Sequence, residues 1–536
     1  MSALPCAQRL DLLIVGAGFA GLYMLHKARS LGLQAQVIDS AADVGGTWFH
    51  NRYPGARVDI QSMEYSFGFD QALQQQWHWT ERYAAQPELL RYAHHVADRF
   101  ALHDGITLGT RLEGAAFDEA AGRWLARADD GRRWSARFLV MASGGLSAAN
   151  TPDLPGLADF QGPVLHTADW PHQPVDFAGQ RVAVIGTGSS AVQLIPLLAQ
   201  QARELSVFQR TAAYAVPAHN GPLDPAFEAR VKADYPGFRA RNRRMRLGFG
   251  CEQPANPGSA LAASPAEREQ AFEARWQIGG FGFLGAYGDL MLDDAANALA
   301  AGFVRDKIRQ TVHDPATAAL LCPSQPIGCK RLCVDSGYYA SFNRPNVRLV
   351  DVGSTPIDRI TATGLVHDGR PYEVDALVLA TGFDAMTGAL LRLDLRGRGG
   401  LNLRQKWRAG PLNYLGLMVA GFPNLFNIAG VGSPAAFTSV IASIEHHVEW
   451  IADCLAFMDR AGHATLDASL AAEAAWVAHV DAMARPTVFM RCNSWYLGAN
   501  IPGKPRQFMP LLGGFPAYTD HCAEVAERGY QGFELR

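Results

Sequence analysis

Short apolar runs that lead into glycine-rich turns organise the hydrophobic pattern of this chain. Residues 11–15 (Asp-Leu-Leu-Ile-Val) and 181–185 (Arg-Val-Ala-Val-Ile) are almost uninterrupted by polar side chains, which predicts buried strands. A helical pattern follows each turn, and a second apolar run follows each helix, at 34–39 and 205–209. Strand, glycine turn, helix and strand in this order predict two copies of a dinucleotide-binding unit.

The first unit carries the pattern GxGxxG at Gly16, Gly18 and Gly21. Gly16 permits the tight turn, Gly18 lets the backbone approach a pyrophosphate, and Gly21 lets the helix lie close to the sheet. The N-terminus of that helix, which is predicted to run to about residue 31, stabilises phosphate charge. Asp39 ends the second strand, where a carboxylate accepts hydrogen bonds from a ribose diol.

The second unit repeats this order with Gly186, Gly188 and Ala191, and a helix is predicted from about 191 to 202. Arg210 and Thr211 stand where the first unit has its acid. A cation and a hydroxyl suit a 2′-phosphate better than a bare ribose diol. The second unit is therefore predicted to bind NADPH in preference to NADH.

The remaining pattern predicts how the two units are connected. Residues 138–144 and 375–383 are apolar strands with small residues at their ends, which suggests two chain crossings between the units. Residues 216–324 are typical of helices and polar turns, with a capping box at Ser264-Pro-Ala-Glu267. An alanine-rich amphipathic helix is predicted over 464–485.

Length and composition limit the possible partners. A chain of 536 residues predicts two or three domains, and 48% hydrophobic with 18% charged residues argues against long disorder. The net charge of −3 offers no basic field for nucleic acid or an anionic membrane, and we interpret the arginines within 239–246 as a solvated face. No stretch reaches the roughly 18 apolar residues of a membrane span. Small-molecule partners are expected.

The cysteines and histidines predict neither a disulfide framework nor a metal site. His94 and His95 lack partners at metal-ligand spacing, and no CxxC pair occurs. The apolar run 12–25 is broken by glycines and preceded by Asp11, so it reads as a strand entering a helix rather than a signal peptide. We therefore expect free thiols and a cytoplasmic protein. The eight cysteines are Cys6, Cys251, Cys322, Cys329, Cys333, Cys454, Cys492 and Cys522.

Two further motifs give the chain a family resemblance. The connector before the second unit reads FxGxxxHxxxWP, with Phe160, Gly162, His166 and Trp170 at its defined positions. Residues 46–59 read GxWxxxxYPGxxxD. Both patterns resemble the fingerprints of the type I Baeyer-Villiger monooxygenases. The resemblance implies an α/β fold with two Rossmann-like domains, the second inserted in the first and itself carrying a helical insertion.

The resemblance also implies cofactors and catalytic residues. The first unit would bind FAD, with Trp48 packed beside the flavin and Asp59 near its ring. Lys330 would complete the 2′-phosphate site of NADPH, and Arg331 would be the active-site arginine. In this family, flavin reduced by NADPH reacts with O2 to give a peroxyflavin anion that attacks a ketone and yields an ester or lactone. A guanidinium can hold that negative charge in a site closed to water.

Two loops and the connector complete the implied site. The loop 427–438 would line the ketone pocket with Ala436, Phe437 and Thr438, although core packing is an equally plausible role for Phe437. The loop 492–504 would form a lid over the nicotinamide with Trp495 facing the site, unless Trp495 holds a surface loop to the core. We interpret His166 as an anchor that couples movement of the NADPH domain to the flavin site rather than as a proton donor.

The resemblance predicts domain boundaries and leaves alternatives. A flavin N- or S-hydroxylating monooxygenase shares the double dinucleotide design but would not require the pair of Asp59 and Arg331. A disulfide reductase is disfavoured because CxxC is missing, and a flavin sensor without catalysis is a further alternative. The preferred ketone and the oligomeric state do not follow from the sequence. The predicted domains are 1–145 and 382–536 for FAD, 146–215 (with the linker) and 325–381 for NADPH, and 216–324 for the helical insertion.

Overall fold

The computed structural model describes residues 7–536, in which two sheets and their covering helices form most of the fold. The apolar runs of the sequence lie in these sheets. The strands are β1 Gln8–Val15, β2 Ala35–Ile38, β3 Ile106–Thr107, β4 Leu112–Asp118, β5 Arg123–Ala128, β6 Arg133–Met141, β7 Val164–His166, β8 Arg181–Ile185, β9 Glu204–Gln209, β10 Ala215–Pro217, β11 Cys333–Asp335, β12 Val347–Asp351, β13 Ile357–Thr361, β14 Gly364–His367, β15 Arg370–Glu373, β16 Ala376–Leu379, β17 Asp394–Arg396, β18 Leu425–Asn427, β19 Leu466–Ala468 and β20 Phe533–Leu535.

Helices connect these strands and cover the sheets. The α-helices are α1 Phe19–Ser30, α2 Thr47–His50, α3 Gln71–Gln76, α4 Gln86–Arg99, α5 Ser189–Gln201, α6 Pro225–Ala233, α7 Tyr235–Arg243, α8 Pro265–Ile278, α9 Asp294–Thr311, α10 Pro315–Leu321, α11 Tyr338–Ser341, α12 Gly388–Leu391, α13 Leu403–Lys406, α14 Val440–Ala461, α15 Leu470–Ala484 and α16 Phe515–Glu527. The 3₁₀ helices are Ser62–Glu64, His103–Gly105, Leu157–Asp159, Gly280–Ala286, Arg398–Gly400, Pro434–Ala436, Val488–Arg491 and Trp495–Leu497.

The first sheet has eight strands, in the order β17-β4-β5-β6-β1-β2-β3 with β18 also paired to β6. The pairs β6-β1-β2-β3 are parallel, whereas β4, β5 and β6 form an antiparallel meander. Because β17 and β18 come late in the chain, the last part of the sequence completes a sheet that the first part begins. Helices α1 and α14 pack together on this sheet.

The second sheet is a five-stranded parallel sheet in the order β12-β9-β8-β16-β7. Such a sheet must be covered on both faces, which explains why β8 and β16 are apolar along almost their whole length. The two sheets confirm the predicted α/β class with two dinucleotide-binding folds.

The helical stretch between β10 and β11 does not pack as one block. Val231, Tyr235 and Phe238 of α6 and α7 lie in the core that covers the first sheet. Phe272 of α8 and Val304 of α9 lie in the core that covers the second sheet. This stretch therefore forms a helical bridge between the two folds. Its helical sequence pattern does not reveal this division.

Several local predictions are confirmed, and others need correction. The capping box of α8 has both of its hydrogen bonds. The loop 44–59 is not wholly irregular, because α2 lies within it, and the helix predicted over 464–485 begins only at Leu470. The arginine run is exposed except for Arg239, whose Nη2 donates to Ser66 Oγ over 2.7 Å and ties α7 to the first fold.

The prediction of free thiols is wrong for one pair of cysteines. Cys329 and Cys492 form a disulfide with Cα atoms 6.2 Å apart. Spacing along the chain could not reveal it, because 163 residues separate the two positions. The other cysteines within residues 7–536 are free thiols, and Cys6 lies outside the described residues.

Candidate active site

An ion pair between the two folds forms the centre of the candidate site. Asp59 lies at the end of the loop that follows α2, and Arg331 lies two residues before β11. Arg331 Nε donates to Asp59 Oδ2 over 2.7 Å, and Nη2 donates to Oδ1 over 2.9 Å. This two-point geometry fixes the plane of the guanidinium. The structure thus brings together two residues that the sequence singled out 272 positions apart.

The Arg331 guanidinium makes two further contacts. Nη1 donates to the carbonyl oxygen of Ala436 over 3.0 Å. The ring of Phe281 lies 4.7 Å from the guanidinium carbon, in a cation–π contact. Arg331 therefore holds together the loop of Asp59, the loop of Ala436 and the helical bridge that carries Phe281.

The surroundings keep the guanidinium charged. Burial lowers the pKa of Arg331, but the Asp59 carboxylate and the Tyr496 hydroxyl together raise it by more, so the pKa lies above its ordinary value. Tyr496 is buried beside Arg331, and burial raises the pKa of its hydroxyl to about 12. Burial likewise raises the pKa of the neighbouring Cys333 thiol to about 11, so this cysteine is not a reactive thiolate. The site thus offers one fixed positive charge among neutral groups and a single carboxylate.

The first glycine turn has the shape that a bound pyrophosphate requires. Gly16 has a φ of +113°, and a Cβ there would collide with the carbonyl oxygen of Ala142. Gly18 caps α1 without any side-chain hydrogen bond, and the first turn of α1 contains no acidic residue. A Cβ on Gly21 would strike the Gly16 carbonyl oxygen. The N–H groups at this helix end are therefore available to an anion.

Asp39 and Trp48 lie on either side of this turn. Asp39 accepts hydrogen bonds from the backbone N–H groups of Ala17, over 2.6 Å, and Ala41, over 2.8 Å. These bonds hold the carboxylate at the end of β2 while each oxygen keeps a lone pair for a ribose hydroxyl. Trp48 is buried in α2, and its Nε1 donates to the Tyr65 hydroxyl over 3.1 Å.

The second glycine turn repeats the first. Gly186 has a φ of +110°, and a Cβ there would collide with the carbonyl oxygen of Ala380 at the end of β16. Gly188 caps α5 without a side-chain hydrogen bond, and a Cβ on it would meet open space. Ala191 is fully buried, so α5 lies close against the sheet. The open space in front of Gly188 suits a second pyrophosphate.

Two basic side chains lie near each other beyond this turn. Arg210 follows β9, and Lys330 is adjacent to Arg331. Burial lowers the pKa of Lys330, and the positive charge of Arg210 lowers it further. Neither cation forms a salt bridge among the residues that the structure describes, while Thr211 uses its backbone carbonyl to accept a bond from Thr187 Oγ1 over 2.9 Å. Two like charges held together in this way fit a phosphate group.

The connector 160–171 is more regular than predicted, because Val164–His166 forms the edge strand β7. His166 Nε2 lies 3.3 Å from the Asn150 carbonyl oxygen and 3.2 Å from Thr381 Oγ1. Asn150 and Thr381 belong to the two chain crossings, so one imidazole contacts both. Burial lowers the pKa of His166, which keeps the ring neutral near pH 7.

The other defined positions of the connector have packing roles. Phe160 lies in the core on one face of the second sheet, and a Cβ on Gly162 would collide with the Asp375 carbonyl oxygen. Trp170 packs on Phe177 and donates its backbone N–H to the His50 carbonyl oxygen of α2 over 3.3 Å. The connector therefore contacts α2 of the first fold directly.

The predicted ketone loop leads into an aromatic cluster. Phe437 packs at centroid distances of 4.6 Å on Tyr496, 4.8 Å on Phe489 and 6.1 Å on Phe508. Ala436 presents its carbonyl oxygen to Arg331, as described above. The hydroxyl of Thr438 lies within the fold, 2.6 Å from Ser443 Oγ. Phe437 thus joins an aromatic cluster directly after the residue whose carbonyl Arg331 contacts.

The predicted lid is ordered and held at several points. Asn500 Nδ2 donates to the Phe383 carbonyl oxygen over 2.8 Å, and Lys504 Nζ lies 2.6 Å from Asp384 Oδ1. Trp495 is half-buried and contacts Tyr496 at a centroid distance of 4.1 Å. It is Tyr496, rather than Trp495, that lies beside Arg331.

Sequence reasoning missed Phe281 and Tyr496 as neighbours of the arginine. Phe281 lies in an aromatic and glycine-rich stretch, GGFGFLGAYG, within the helical bridge, and such a break in a helical pattern was the available signal. Tyr496 stands in the lid motif directly after Trp495. Which of two adjacent aromatics faces the site depends on the turn of the loop, and the sequence does not specify that turn.

Two broader features of the described residues bear on function. None of their helices combines the length and the apolar character that crossing a bilayer requires. Within residues 7–536, no group of three or more histidine, cysteine, aspartate or glutamate side chains is arranged to hold a metal ion.

Comparison with known proteins adds independent findings. A family model described as "Pyridine nucleotide-disulphide oxidoreductase" matches residues 13–235. The chain is 43% identical over 524 residues to a "Baeyer-Villiger monooxygenase" of Pseudooceanicola batsensis, covering 97% of this chain and 95% of that protein. It is 40% identical over 529 residues to "Phenazine N-monooxygenase PhzNO1" of Lysobacter antibioticus, covering 98% and 97%.

A solved structure is similar along almost the whole chain. The structure titled "Oxidized steroid monooxygenase bound to NADP" superposes with a TM-score of 0.93 at 48% identity, covering 98% of this chain and 99% of that one. A likeness of this extent includes both sheets and the helical stretch between β10 and β11.

Proposed function

The chain belongs to the type I Baeyer-Villiger monooxygenases, and from this premise we propose that Arg331, oriented by Asp59, is its catalytic cation. The protein is an FAD-containing, NADPH-dependent enzyme that inserts one atom of O2 next to a ketone carbonyl and forms an ester or lactone. The observation that carries the proposal is the two-point ion pair between Asp59 and Arg331 at the meeting of the two folds.

Arg331 stabilises the negative charge that develops during oxygen insertion. Bound FAD, once reduced by NADPH, supplies the activated oxygen. The guanidinium stays protonated throughout, since its pKa lies above the ordinary value. Its hydrogen bonds to Asp59 and Ala436 fix its position before substrate arrives, so little reorganisation is needed as negative charge develops.

Asp59 acts through the arginine. Its two oxygens accept hydrogen bonds from Nε and Nη2, and Ala436 accepts one from Nη1, which leaves the second N–H of each Nη nitrogen and the guanidinium face opposite Phe281 to meet the reacting groups. A neutral side chain at this position would keep part of the geometry and lose the opposing charge. We therefore assign Asp59 a positioning role.

The two glycine turns hold the two cofactors. Gly16, Gly18, Gly21 and Asp39 would bind the pyrophosphate and ribose of FAD, with Trp48 against the flavin side of the site. Gly186, Gly188 and Ala191 would do the same for NADPH. Arg210, Thr211 and Lys330 would bind its 2′-phosphate. Burial and the positive charge of Arg210 lower the pKa of Lys330, and a phosphate bound there would offset this repulsion.

A ketone is the substrate class that this site suits, with Ala436, Phe437 and Thr438 along its wall. Phe437 is half-buried and rests on the buried rings of Phe489, Tyr496 and Phe508, so it offers an apolar surface near Arg331. Such a surface binds the hydrocarbon part of a ketone and excludes water from the reacting carbonyl.

Product analysis tests the proposal. Purified protein with FAD, NADPH and O2 should convert members of a panel of linear, cyclic, aromatic and steroid ketones to esters or lactones. Arg331→Ala should still allow NADPH to reduce the flavin, followed by the loss of flavin absorbance, but should form no ester. Normal ketone oxidation by Arg331→Ala would contradict the assigned role.

N-oxygenation is the second candidate, because the phenazine N-monooxygenase is nearly as similar to this chain as the Baeyer-Villiger relative. The same panel should include a planar aromatic N-heterocycle. N-oxide formation without any ester or lactone would favour this second activity. Its dependence on Arg331 would show whether the ion pair serves both reactions.

A further inference from the structure

The disulfide joins two functional segments that are distant in sequence. Cys329 comes directly before Lys330 and Arg331, and Cys492 stands three residues before Trp495. Their Cα separation of 6.2 Å lies in the range usual for disulfides. The bond therefore connects the segment of the two active-site cations to the first residue of the lid loop 492–504.

The segment on the Cys329 side is firmly fixed. Asn297 of α9, which is almost fully buried, donates to the Ile327 carbonyl oxygen over 2.8 Å and accepts from the Ile327 N–H over 2.9 Å. Gly328 and Cys329 follow directly, and Cys329 is completely buried. Cys329 is thus an anchor on a rigid part of the molecule.

The segment on the Cys492 side has weaker attachments to the same neighbourhood. The Val488 N–H donates to the Met291 carbonyl oxygen over 3.0 Å. The pair of Arg491 and Asp294, 3.3 Å apart, is more than half exposed on both sides, and such pairs contribute little. Without the disulfide, few contacts would hold the start of the lid to the anchor.

A bond at this point restrains the whole loop. Arg506, just beyond the loop, donates from Nη2 to the Cys492 carbonyl oxygen over 3.3 Å and hydrogen-bonds from Nη1 to Asn493. Both ends of the loop therefore meet at Cys492. The disulfide between Cys492 and Cys329 therefore restrains the point at which the two ends of the loop meet.

We propose that Cys329 and Cys492 are a reversible thiol–disulfide pair. When hydrogen peroxide oxidises the two thiols, the disulfide locks the lid loop over the NADP site. The locking effect rests on the proposed function of the loop, whereas the redox chemistry of the pair does not. Peroxide is the by-product expected when activated oxygen escapes the site, so the enzyme's own uncoupled turnover could supply it.

The chemistry balances as two thiols plus one peroxide giving one disulfide and two waters. The thiolate of Cys492, the less deeply buried of the two, attacks peroxide, breaks the O–O bond and becomes a sulfenic acid as the first water leaves. The sulfur of Cys329 then attacks the sulfenic sulfur, the S–S bond forms, and the second water leaves. The thiols lose two electrons and two protons, and dithiothreitol reverses the step by exchange.

Peptide mapping tests the pair without reference to activity. The FAD-loaded enzyme is reduced with dithiothreitol, freed of reductant, treated with hydrogen peroxide, alkylated and digested. We expect a linked peptide containing Cys329 and Cys492 after peroxide, with a mass about 2 Da below the sum of its reduced parts, and its loss after renewed reduction. Cys492→Ser should abolish this peptide, whereas Cys322→Ser, at a half-buried free thiol, should leave it unchanged.

The lock itself is tested by the rate at which NADP+ leaves, measured by stopped-flow displacement. Peroxide treatment should slow NADP+ release several-fold in the wild type, dithiothreitol should restore it, and Cys492→Ser should show no difference between the two treatments. Absence of the linked peptide, or a link that dithiothreitol fails to open in the folded enzyme, would overturn the reversible pair. A linked peptide with unchanged NADP+ release would overturn the lock alone.

Discussion

At the scale of single residues, the guanidinium of Arg331 is the most constrained group in the site. Its three nitrogens donate to Asp59 and Ala436, and Phe281 covers one face. A lysine has one ammonium and no fork, so it could not satisfy these partners together. The position therefore requires arginine for geometric reasons as well as for charge.

Replacing Asp59 by asparagine separates charge from shape. Asp59→Asn should lower the rate of oxygen insertion on the order of 10²-fold, because the guanidinium loses its orienting charge, while flavin reduction by NADPH changes little. Stopped-flow reduction and ester formation measure the two steps. Glu81→Gln, at a partly exposed pair with Arg57, is a matched change outside the proposed machinery. Equal losses in both half-reactions would argue against a positioning role.

Cofactor preference should depend on Arg210 and Lys330. Alanine at either position should reduce kcat/KM for NADPH by about 10- to 100-fold, the value of one or two charge-assisted hydrogen bonds, and should leave NADH use nearly unchanged. Steady-state kinetics with both nucleotides measures this. Arg203→Ala, at an exposed residue of the same fold, is the control. A parallel loss with NADH would contradict a 2′-phosphate site.

The sequence could predict these residues only where a motif fixes them. Asp59 and Arg331 stand at defined positions of family patterns, and their contact follows once both patterns belong to one site. The bond from Arg331 to the Ala436 carbonyl and the stacking of Phe281 depend on loop conformations. No residue type is required to supply a backbone carbonyl, so that partner carries no sequence signal.

At the scale of secondary-structure elements, the connector and its strand β7 link the two folds. His166 contacts both chain crossings, and Trp170 bonds to α2. A shift of the second sheet would therefore reach the loop that ends at Asp59. These contacts support a coupling role for the connector without any proton transfer by His166.

Removing the imidazole should weaken that coupling. His166→Ala should lower ester formation and raise hydrogen peroxide release per NADPH consumed several-fold, because the nucleotide fold would no longer be held in register with the flavin side. A peroxide assay run beside NADPH consumption measures the ratio. His313→Ala, at an exposed histidine, should leave it unchanged. Unchanged leakage in His166→Ala would reduce this residue to a packing role.

Element boundaries followed from the sequence where local chemistry sets them. The capping box indicated the start of α8 correctly, whereas α5 begins at Ser189, two residues before its predicted start near 191. The start of α15 was predicted too early because Leu466–Ala468 forms strand β19 and pairs with β20, beyond the following helices α15 and α16. Such pairing is non-local, so the alanine-rich pattern alone could not indicate it.

At the scale of the whole molecule, two folds share a site that neither completes alone. The repeated strand, turn and helix pattern predicted both sheets, because the residues that define each unit are close together in sequence. The division of the helical stretch between the two cores and the disulfide were not predicted. Both depend on how the folds lie against each other.

Acid should destabilise the folded molecule partly through α14. Burial lowers the pKa of His447 well below its ordinary value, and the neighbouring His446 lowers it further. The Nδ1 of His447 accepts the Ala429 N–H, and its Nε2 lies 2.7 Å from the Tyr518 hydroxyl. Burial also lowers the pKa of the neighbouring His446 to about 4. Above the histidine pKa of about 6.5 in the unfolded chain, both histidines are neutral in the folded and in the unfolded protein, and their contribution to folding stability is fully present. Below it, the unfolded chain binds protons that the folded chain cannot, so stability falls.

The measurement is the melting temperature between about pH 8 and pH 5.5, a range chosen to span that pKa. Glu64, whose pKa burial raises to about 7, acts in the opposite direction, so the comparison is between variants. His447→Gln should reduce the acid-induced fall in the free energy of unfolding by up to about 1.4 kcal/mol per pH unit, and the melting temperature should fall correspondingly less. His103→Gln, at an exposed histidine, should not. Identical slopes in all three proteins would contradict the prediction.

The order in which the strands join the two sheets also bears on synthesis. Every strand of the second sheet lies between Val164 and Leu379, whereas the first sheet needs β17 and β18 from beyond Asp394. A chain emerging from the ribosome can therefore finish the nucleotide fold while the flavin fold still lacks two strands and α14. The early strands β1 to β6 must then wait, with an unfinished edge, until the last quarter of the chain arrives. Flavin capture would thus come late in biogenesis, and we expect a stalled or truncated chain to retain the NADPH fold without a completed flavin fold.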